Sequence, residues 1–203
     1  MFTRRALLAC APSLLVLSSC SEPPKTAKEP EKPAEPVGAQ TAFHQVFLQA
    51  RTWAPDLLVW RVRDIPMTSV KPDGGKRAAW EVTVVSPSKA KARTYTYSVV
   101  EEGNIHQGVF AGLEDEYRGP QGQNVAWPVQ AFKVDSTKAY EVALEHSADF
   151  VKANPDIPTM LLMEQTSRHP YLTWRVIWGT SVAASGYSVF VGATTGQFIE
   201  KVR

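Results

Sequence analysis

The last thirty residues of the chain alternate apolar and polar side chains between short turns. One run extends from Trp174 to Trp178 and a second from Tyr187 to Val191, with Gly and Ser residues between them. A third run, from Phe198 to Val202, follows the turn Thr195-Gly196. Alternation with a period of two is typical of strands that bury one face. The segment therefore predicts an antiparallel meander, and a helix is predicted before it.

An earlier part of the chain resembles this unit in the same order. Trp80-Glu81-Val82 matches Trp174-Arg175-Val176 at a spacing of 94 residues. Ala54-Pro55-Asp56-Leu57 matches Asn154-Pro155-Asp156-Ile157 at a spacing of 100 residues. Repetition at nearly constant spacing indicates an internal duplication. The predicted fold class is α+β, with two tandem units that each pack one helix on a three- to four-stranded antiparallel sheet.

Helical periodicity occurs once in each unit. The first helix is expected to begin at Thr41, a candidate N-cap, and to end before Pro55. The second is expected to run from the cap Asp135-Ser136 to about Ala153, before Asn154-Pro155. These two helices would each cover one face of a sheet.

The strands of the first unit are assigned by the same alternation. Leu58, Trp60 and Val62 are expected to form one apolar face, opposite to Arg61 and Arg63. Further strands are predicted at Trp80–Val84 and Tyr95–Val99, and a fourth short run around 105–110. Most tryptophans are expected in the core, because large aromatic side chains are usually buried.

The first nineteen residues have the pattern of a secretory signal. Arg4 and Arg5 precede an apolar run that is too short to span a bilayer. The run ends in Leu17-Ser18-Ser19-Cys20, which resembles the lipobox of bacterial lipoproteins. The resemblance implies that Cys20 becomes the lipidated first residue of the mature protein. The alternative is a chance cysteine after an ordinary signal.

A lipidated Cys20 would attach the protein to the cell envelope. Each buried methylene contributes roughly 0.8 kcal/mol, so two or three acyl chains, such as palmitate, would anchor it without a transmembrane helix. Because Ser21 rather than Asp follows, the resemblance implies the outer membrane, facing the periplasm. Residues 20–40, rich in Pro, Lys and Glu, are expected to be a disordered linker.

Cysteine and charge exclude several classes of function. Cys10 and Cys20 are the two cysteines, so a mature lipoprotein would have no thiol for catalysis or metal binding. Without the signal, the chain carries 20 basic and 20 acidic residues, which gives no electrostatic reason to bind nucleic acid. One basic cluster is expected to form either a solvated loop pair or an anion-binding rim. It comprises Lys71, Lys76, Arg77, Lys89, Lys91 and Arg93.

No catalytic or metal-binding motif stands out. The four histidines have no spacing suited to a shared metal ion. Glu114, Asp115 and Glu116 are consecutive, which favours a solvated acidic loop over a Ca²⁺ site. The sequence therefore predicts a protein that is not an enzyme and needs no cofactor or metal. A hydrolase would require a cleft with a strongly shifted His or carboxylate.

The second unit resembles a PepSY-type domain. The matching residues are Trp174-Arg175-Val176, Tyr187-Ser188-Val189 and the turn Ala193-Thr194-Thr195-Gly196, whereas Gly192 stands where the family often has Asp. The resemblance covers residues 133–203 well and 41–110 weakly. Members of the family are regarded as peptidase inhibitors or partner-binding modules, so the resemblance implies a binding role.

The predicted segments are 1–19 (signal), 20–40 (linker), 41–110 (unit 1), 111–132 (connector) and 133–203 (unit 2).

A helix covers one face of each sheet, so the other face is solvated, buried against the other unit, or used for binding. The candidate partner-binding residues on that open face are Arg61, Arg63, Glu81, Arg175 and Ile177. The predicted function is a non-catalytic envelope lipoprotein that binds a protein or peptide, with peptidase inhibition as one form of it. The alternative is a structural lipoprotein that docks into an envelope complex.

Overall fold

The computed structural model describes residues 33–120 and 124–203. The predictions for the signal, for Cys20 and for most of the linker concern residues outside these ranges. Of the described helices, none combines the length and the apolar character needed to cross a membrane. The helices are α1 (Ala39–Trp53), α2 (Ser136–Glu145) and α3 (Ala148–Ala153), with a 3₁₀ turn at Val129–Ala131. The strands are β1 (Leu58–Ile65), β2 (Ala79–Ser86), β3 (Lys91–Ser98), β4 (Gly108–Glu116), β5 (Asn124–Val125), β6 (Thr159–Thr166), β7 (Thr173–Gly179), β8 (Ser185–Gly192) and β9 (Phe198–Val202).

All nine strands belong to one antiparallel sheet. Its order is β4-β3-β2-β1-β6-β7-β8-β9, and the short β5 pairs with β6. Two four-stranded meanders are thus joined where Arg61, Val62 and Arg63 of β1 pair with β6. The α+β class is confirmed, but the sheet is continuous where two separate sheets were expected. Descent of the two halves from one duplicated unit remains a prediction.

The helices pack on one face of this sheet, which we call the core face. Its centre holds Trp80 of β2 and Trp174 of β7, both 0 % exposed, with ring centroids 6.3 Å apart. The Trp80 indole N–H donates to the carbonyl of Val37, just before α1. The Trp174 indole N–H donates in the same way to Val134, just before α2. Each half thus ties its helix entry to the core through an equivalent tryptophan.

The start of α1 is capped from the other half of the molecule. The Ala39 amide donates to Ser136 Oγ at 2.9 Å, and the Gln40 amide donates to Asp135 Oδ1 at 2.8 Å. These contacts satisfy amides that have no partner within the helix. The prediction of Thr41 as the cap was wrong, because α1 begins two residues earlier, after Gly38.

We therefore expect Asp135→Ala to lower the free energy of unfolding by about 1 kcal/mol, the usual cost of losing a capping side chain. Thr41→Ala is the matched control and should change it much less, because the exposed Thr41 lies inside α1. Urea unfolding of both variants measures the difference. An equal loss in the two variants would contradict this assignment of the cap.

Three predicted boundaries differ from the structure. Val37 already pairs with Arg77, so the fold begins before residue 41. The second helix is interrupted after α2, where the Ser147 hydroxyl donates to the Ala143 carbonyl and α3 starts anew. Strand β4 continues to Glu116, so the acidic residues assigned to a connector loop lie on an edge strand paired with β3.

Candidate functional site

The open face of the sheet carries a row of side chains that crosses eight strands, which we call the central row. Residues directly opposite each other in neighbouring strands point to the same face, and the register aligns one residue from each strand. From β4 to β9 these are Phe110, Thr96, Glu81, Arg63, Leu162, Arg175, Phe190 and Glu200. Three of the predicted binding residues, Arg63, Glu81 and Arg175, are thereby brought into one line.

Arg63 and Glu81 are already engaged with each other. The Arg63 guanidinium donates twice to the Glu81 carboxylate, at 2.8 and 2.7 Å, and this contact raises the pKa of Arg63. Arg61, one row away, reaches Glu81 only at 3.5 Å and pairs in register with Glu164. Bidentate contacts hold both partners in place. Arg63 is therefore held against Glu81, whereas Arg61 makes only the one long contact with that carboxylate.

Arg175 is held by weaker contacts. Its guanidinium donates to Ser188 Oγ at 3.2 Å and to Ser185 Oγ at 3.4 Å, and it lies 5.3 Å from the centre of the Phe190 ring. Among the described residues no carboxylate oxygen lies within 4 Å of it. Burial lowers the pKa of Arg175, and the nearby Glu164 offsets part of that effect. Arg175 is thus a half-buried cation without a close counter-ion in the described part of the chain.

Glu164 has the opposite charge in a similar setting. Burial raises the pKa of this carboxyl, against the attraction of Arg61 and Arg175. Its one described side-chain contact is a hydrogen bond from Asn124 at 3.2 Å. Arg175 and Glu164 line one cavity of about 190 Å³, which we call the Arg175 cavity. Its other walls are Thr166, Arg168, His169, Thr173, Phe190 and Val202.

Sequence reasoning missed Glu164 and misjudged Ile177. Ile177 lies on the open face but is 0 % exposed, so it cannot line an accessible groove. Glu164 ends an apolar run in β6, and its parity places it on the open face. Its position beside Arg61 depends on the pairing of β1 with β6, which joins residues about 100 positions apart. No local sequence pattern predicts the register between β1 and β6.

A second cavity of about 310 Å³ lies on the open face beside Trp60 and Arg61. The register of β1 shifts between Val59 and Arg61, so Trp60 leaves the apolar face predicted for it. It packs edge-on against Tyr117, with ring centroids 5.7 Å apart, in a small cluster separate from the main core. The Trp60 Nε1 and Arg61 Nε donors are buried without a hydrogen-bond partner among the described residues.

An apolar cleft of about 460 Å³ lies at the other end of the β1–β6 junction. Its walls include Met67, Val70 and Met160, and its base holds the buried pair Asp64 and Arg77. Arg77 was grouped with the basic surface cluster, but it is 3 % exposed and cannot form part of an anion-binding rim. The Glu102 carboxylate accepts hydrogen bonds from Ser69 and Thr68, which hold the loop that forms one wall of the cleft. The same hydrogen bonds lower the pKa of Glu102 to about 2.

The histidines lie in separate environments. His169 contacts Glu200 at 2.8 Å, His106 contacts Glu101 at 2.7 Å, and His146 stacks on Phe198. Within residues 33–120 and 124–203, no group of three His, Cys, Asp or Glu side chains has a geometry suited to a metal ion.

Comparisons with known proteins leave the family open. No family model and no curated protein sequence matches the chain. The fold is similar to the crystal structure of a "putative lipoprotein" from Clostridium difficile 630, with a TM-score of 0.48 and 7 % sequence identity. The alignment covers 85 % of this chain and 95 % of that one. At this level of similarity, the neighbour carries no argument about what this chain does.

Proposed function

We propose that this protein is a non-catalytic lipoprotein that binds a protein or peptide partner on the open face of its sheet. Acyl chains on Cys20 anchor it in the outer membrane, and the folded part faces the periplasm. The anchor is supported by the lipobox-like Leu17-Ser18-Ser19-Cys20 after an apolar run. The resemblance of residues 133–203 to PepSY-type domains supports a binding role and makes a peptidase the first class of partner to test.

The observation that carries the proposal is the charged open face. The Arg61 and Arg63 side chains are 41 % and 39 % exposed, and Arg175 and Glu164 line a cavity without pairing closely. Mixed charges arranged around apolar and aromatic groups are typical of protein-binding surfaces, where they give specificity and accelerate association. Of the three arginines among the predicted residues, Arg61 and Arg175 are the two that no bidentate contact with a carboxylate holds.

A pull-down tests this proposal. The chain from residue 21, which lacks the lipidation site, is immobilised and exposed to envelope extract. The test variant carries Arg61→Glu and Arg175→Glu, and Arg63 is left intact because it holds Glu81. The matched control carries the same change of charge on the helical side, at the exposed Arg51 and Lys152. Circular dichroism checks that all three proteins are folded.

We expect one protein to be captured by the native chain and by the Arg51/Lys152 control, but not by the Arg61→Glu, Arg175→Glu variant. Equal capture by all three, or capture of no protein, would contradict it. If a captured peptidase is also inhibited by the native chain, the inhibitory form of the proposal is supported.

A structural role within an envelope complex is the second candidate, and one observation favours it. Phe110 and Leu113 of the edge strand β4 are 50 % and 90 % exposed, and apolar side chains at a sheet edge suit permanent docking. Binding through the charged open face should weaken as salt rises, whereas docking through this edge should be insensitive to salt. Repeating the pull-down at low and high salt separates the two.

A further inference from the structure

The Arg175 cavity brings together two opposite charges that are not paired with each other. Arg175 and Glu164 both line it, yet neither has an oppositely charged group within 4 Å among the described residues. By contrast, Arg63 and Glu81, which lie two and three strands from Arg175 in the central row, form a close ion pair at 2.7 Å. Half-buried charges have lost water, so each is stabilised by an incoming group of opposite charge.

The spacing of the two charges fits an extended chain. Arg175 pairs in register with Leu162, so Glu164 is its diagonal neighbour on the adjacent strand. Diagonal neighbours lie about 7–8 Å apart. Side chains two positions apart in an extended strand share a face and are separated by about 6.5–7 Å. A single extended segment could therefore present one charged group to each.

We infer that the Arg175 cavity binds an extended segment of the partner in which an acidic and a basic side chain are two residues apart. The acidic group meets Arg175 above the Phe190 ring, and the basic group meets Glu164. This inference rests on the proposed function and specifies the chemistry that the partner offers. The cavity of about 190 Å³ admits a few side-chain atoms, which fits recognition of side-chain ends.

Arg168 and His169 line the same cavity but differ from Arg175 and Glu164, because both contact a neighbouring carboxylate. Both contact Glu200, at 2.9 and 2.8 Å, so the Arg168 cation already has a carboxylate partner. Arg168 is 60 % exposed, and exposed ion pairs contribute little to binding or stability. Arg168→Gln therefore serves as a matched control that removes a positive charge from the cavity wall without removing an unpaired one.

The test is a set of double-mutant cycles with a defined probe. The probe is the capped peptide acetyl-Ala-Glu-Ala-Lys-Ala-amide, compared with peptides in which Gln replaces Glu or Lys. Binding to the chain from residue 21 is followed by NMR shifts of the β7 amides and of the Arg175 side-chain N–H. Arg175→Gln and Glu164→Gln are the protein variants. In each cycle, the loss on changing the protein is compared with the loss on changing the peptide.

We expect each substitution in the peptide to weaken binding at least tenfold with the native protein. Arg175→Gln should abolish the effect of the peptide Glu, and Glu164→Gln should abolish the effect of the peptide Lys. Arg168→Gln should change the affinity less than threefold. Absence of shifts at millimolar peptide, or additive losses in both cycles, would overturn the inference. If the partner from the pull-down binds Arg175→Gln and Glu164→Gln as well as it binds the native chain, the proposed function stands and this inference falls.

Discussion

Replacing Arg77 with methionine is expected to lower the free energy of unfolding by about 3–5 kcal/mol. Arg77 Nε donates to Asp64 Oδ2 at 2.8 Å, and both side chains are 3 % exposed. Asp64 also accepts the amide of Leu161 at 2.9 Å, and Arg77 donates to Thr159 Oγ1 at 2.9 Å. The pair thus links the first meander to β6 of the second. Without Arg77, a buried carboxylate is left without its cation at this junction.

The stability lost in the Arg77→Met variant should become smaller as the pH falls. Burial raises the pKa of Asp64, and Arg77 is the main group that opposes this shift. Removing Arg77 raises the pKa further. A carboxyl whose pKa is higher in the folded than in the unfolded state takes up a proton on folding, so lower pH favours the folded state. The difference between native and variant protein in urea unfolding should therefore narrow as the pH falls below neutral.

The double variant Asp64→Leu, Arg77→Met provides the control for this prediction. Apolar residues in place of both charges remove the unpaired carboxylate, and such replacements are often close to neutral. We expect the double variant to regain more than half of the stability lost by Arg77→Met. A single variant as stable as the native protein would show that the pair does not hold the junction.

Trp174→Ala is the second change with a large expected effect, about 3–5 kcal/mol of unfolding free energy. The indole is 0 % exposed and packs edge-on against Trp80 and Phe132, with ring centroids at 6.3 and 5.8 Å. Truncation leaves a cavity in the centre of the sheet. It also removes the donor to the Val134 carbonyl, at 2.8 Å.

Trp174→Phe separates the two contributions. Phenylalanine keeps an aromatic ring in the core but leaves the Val134 carbonyl without its donor, at a cost of about 1–3 kcal/mol. Urea unfolding followed by circular dichroism measures both variants. Equal losses of stability in the alanine and phenylalanine variants would contradict the view that packing of the Trp174 ring is the main contribution.

Local sequence patterns predicted which helices and strands form, but they predicted the boundaries and register of these elements poorly. Alternation located the strands of the closing meander, and β7 to β9 follow it closely. The cap of α1 could not be found locally, because Asp135 and Ser136 act on residues 95 and 97 positions away. Trp60 left its predicted face because the register shift after Val59 breaks the period of two.

The candidate site was predicted in part. Parity placed Arg63, Glu81 and Arg175 on one face, and the register aligns them in the central row. Which of these side chains have a close ion-pair partner depends on distances that no sequence pattern gives. Glu164 entered the site because two distant meanders pair at β1 and β6. Ile177 is inaccessible although its parity is that of the open face.

Photo-crosslinking can show which face of the sheet meets a partner in the cell. A photo-crosslinking phenylalanine analogue is placed at Phe190 on the open face or at the exposed Gln45 of α1 in the full-length chain. We expect a discrete adduct with one envelope protein from position 190 and none from position 45. An adduct from position 45 alone, or from neither position, would contradict the claim that the open face is the binding surface.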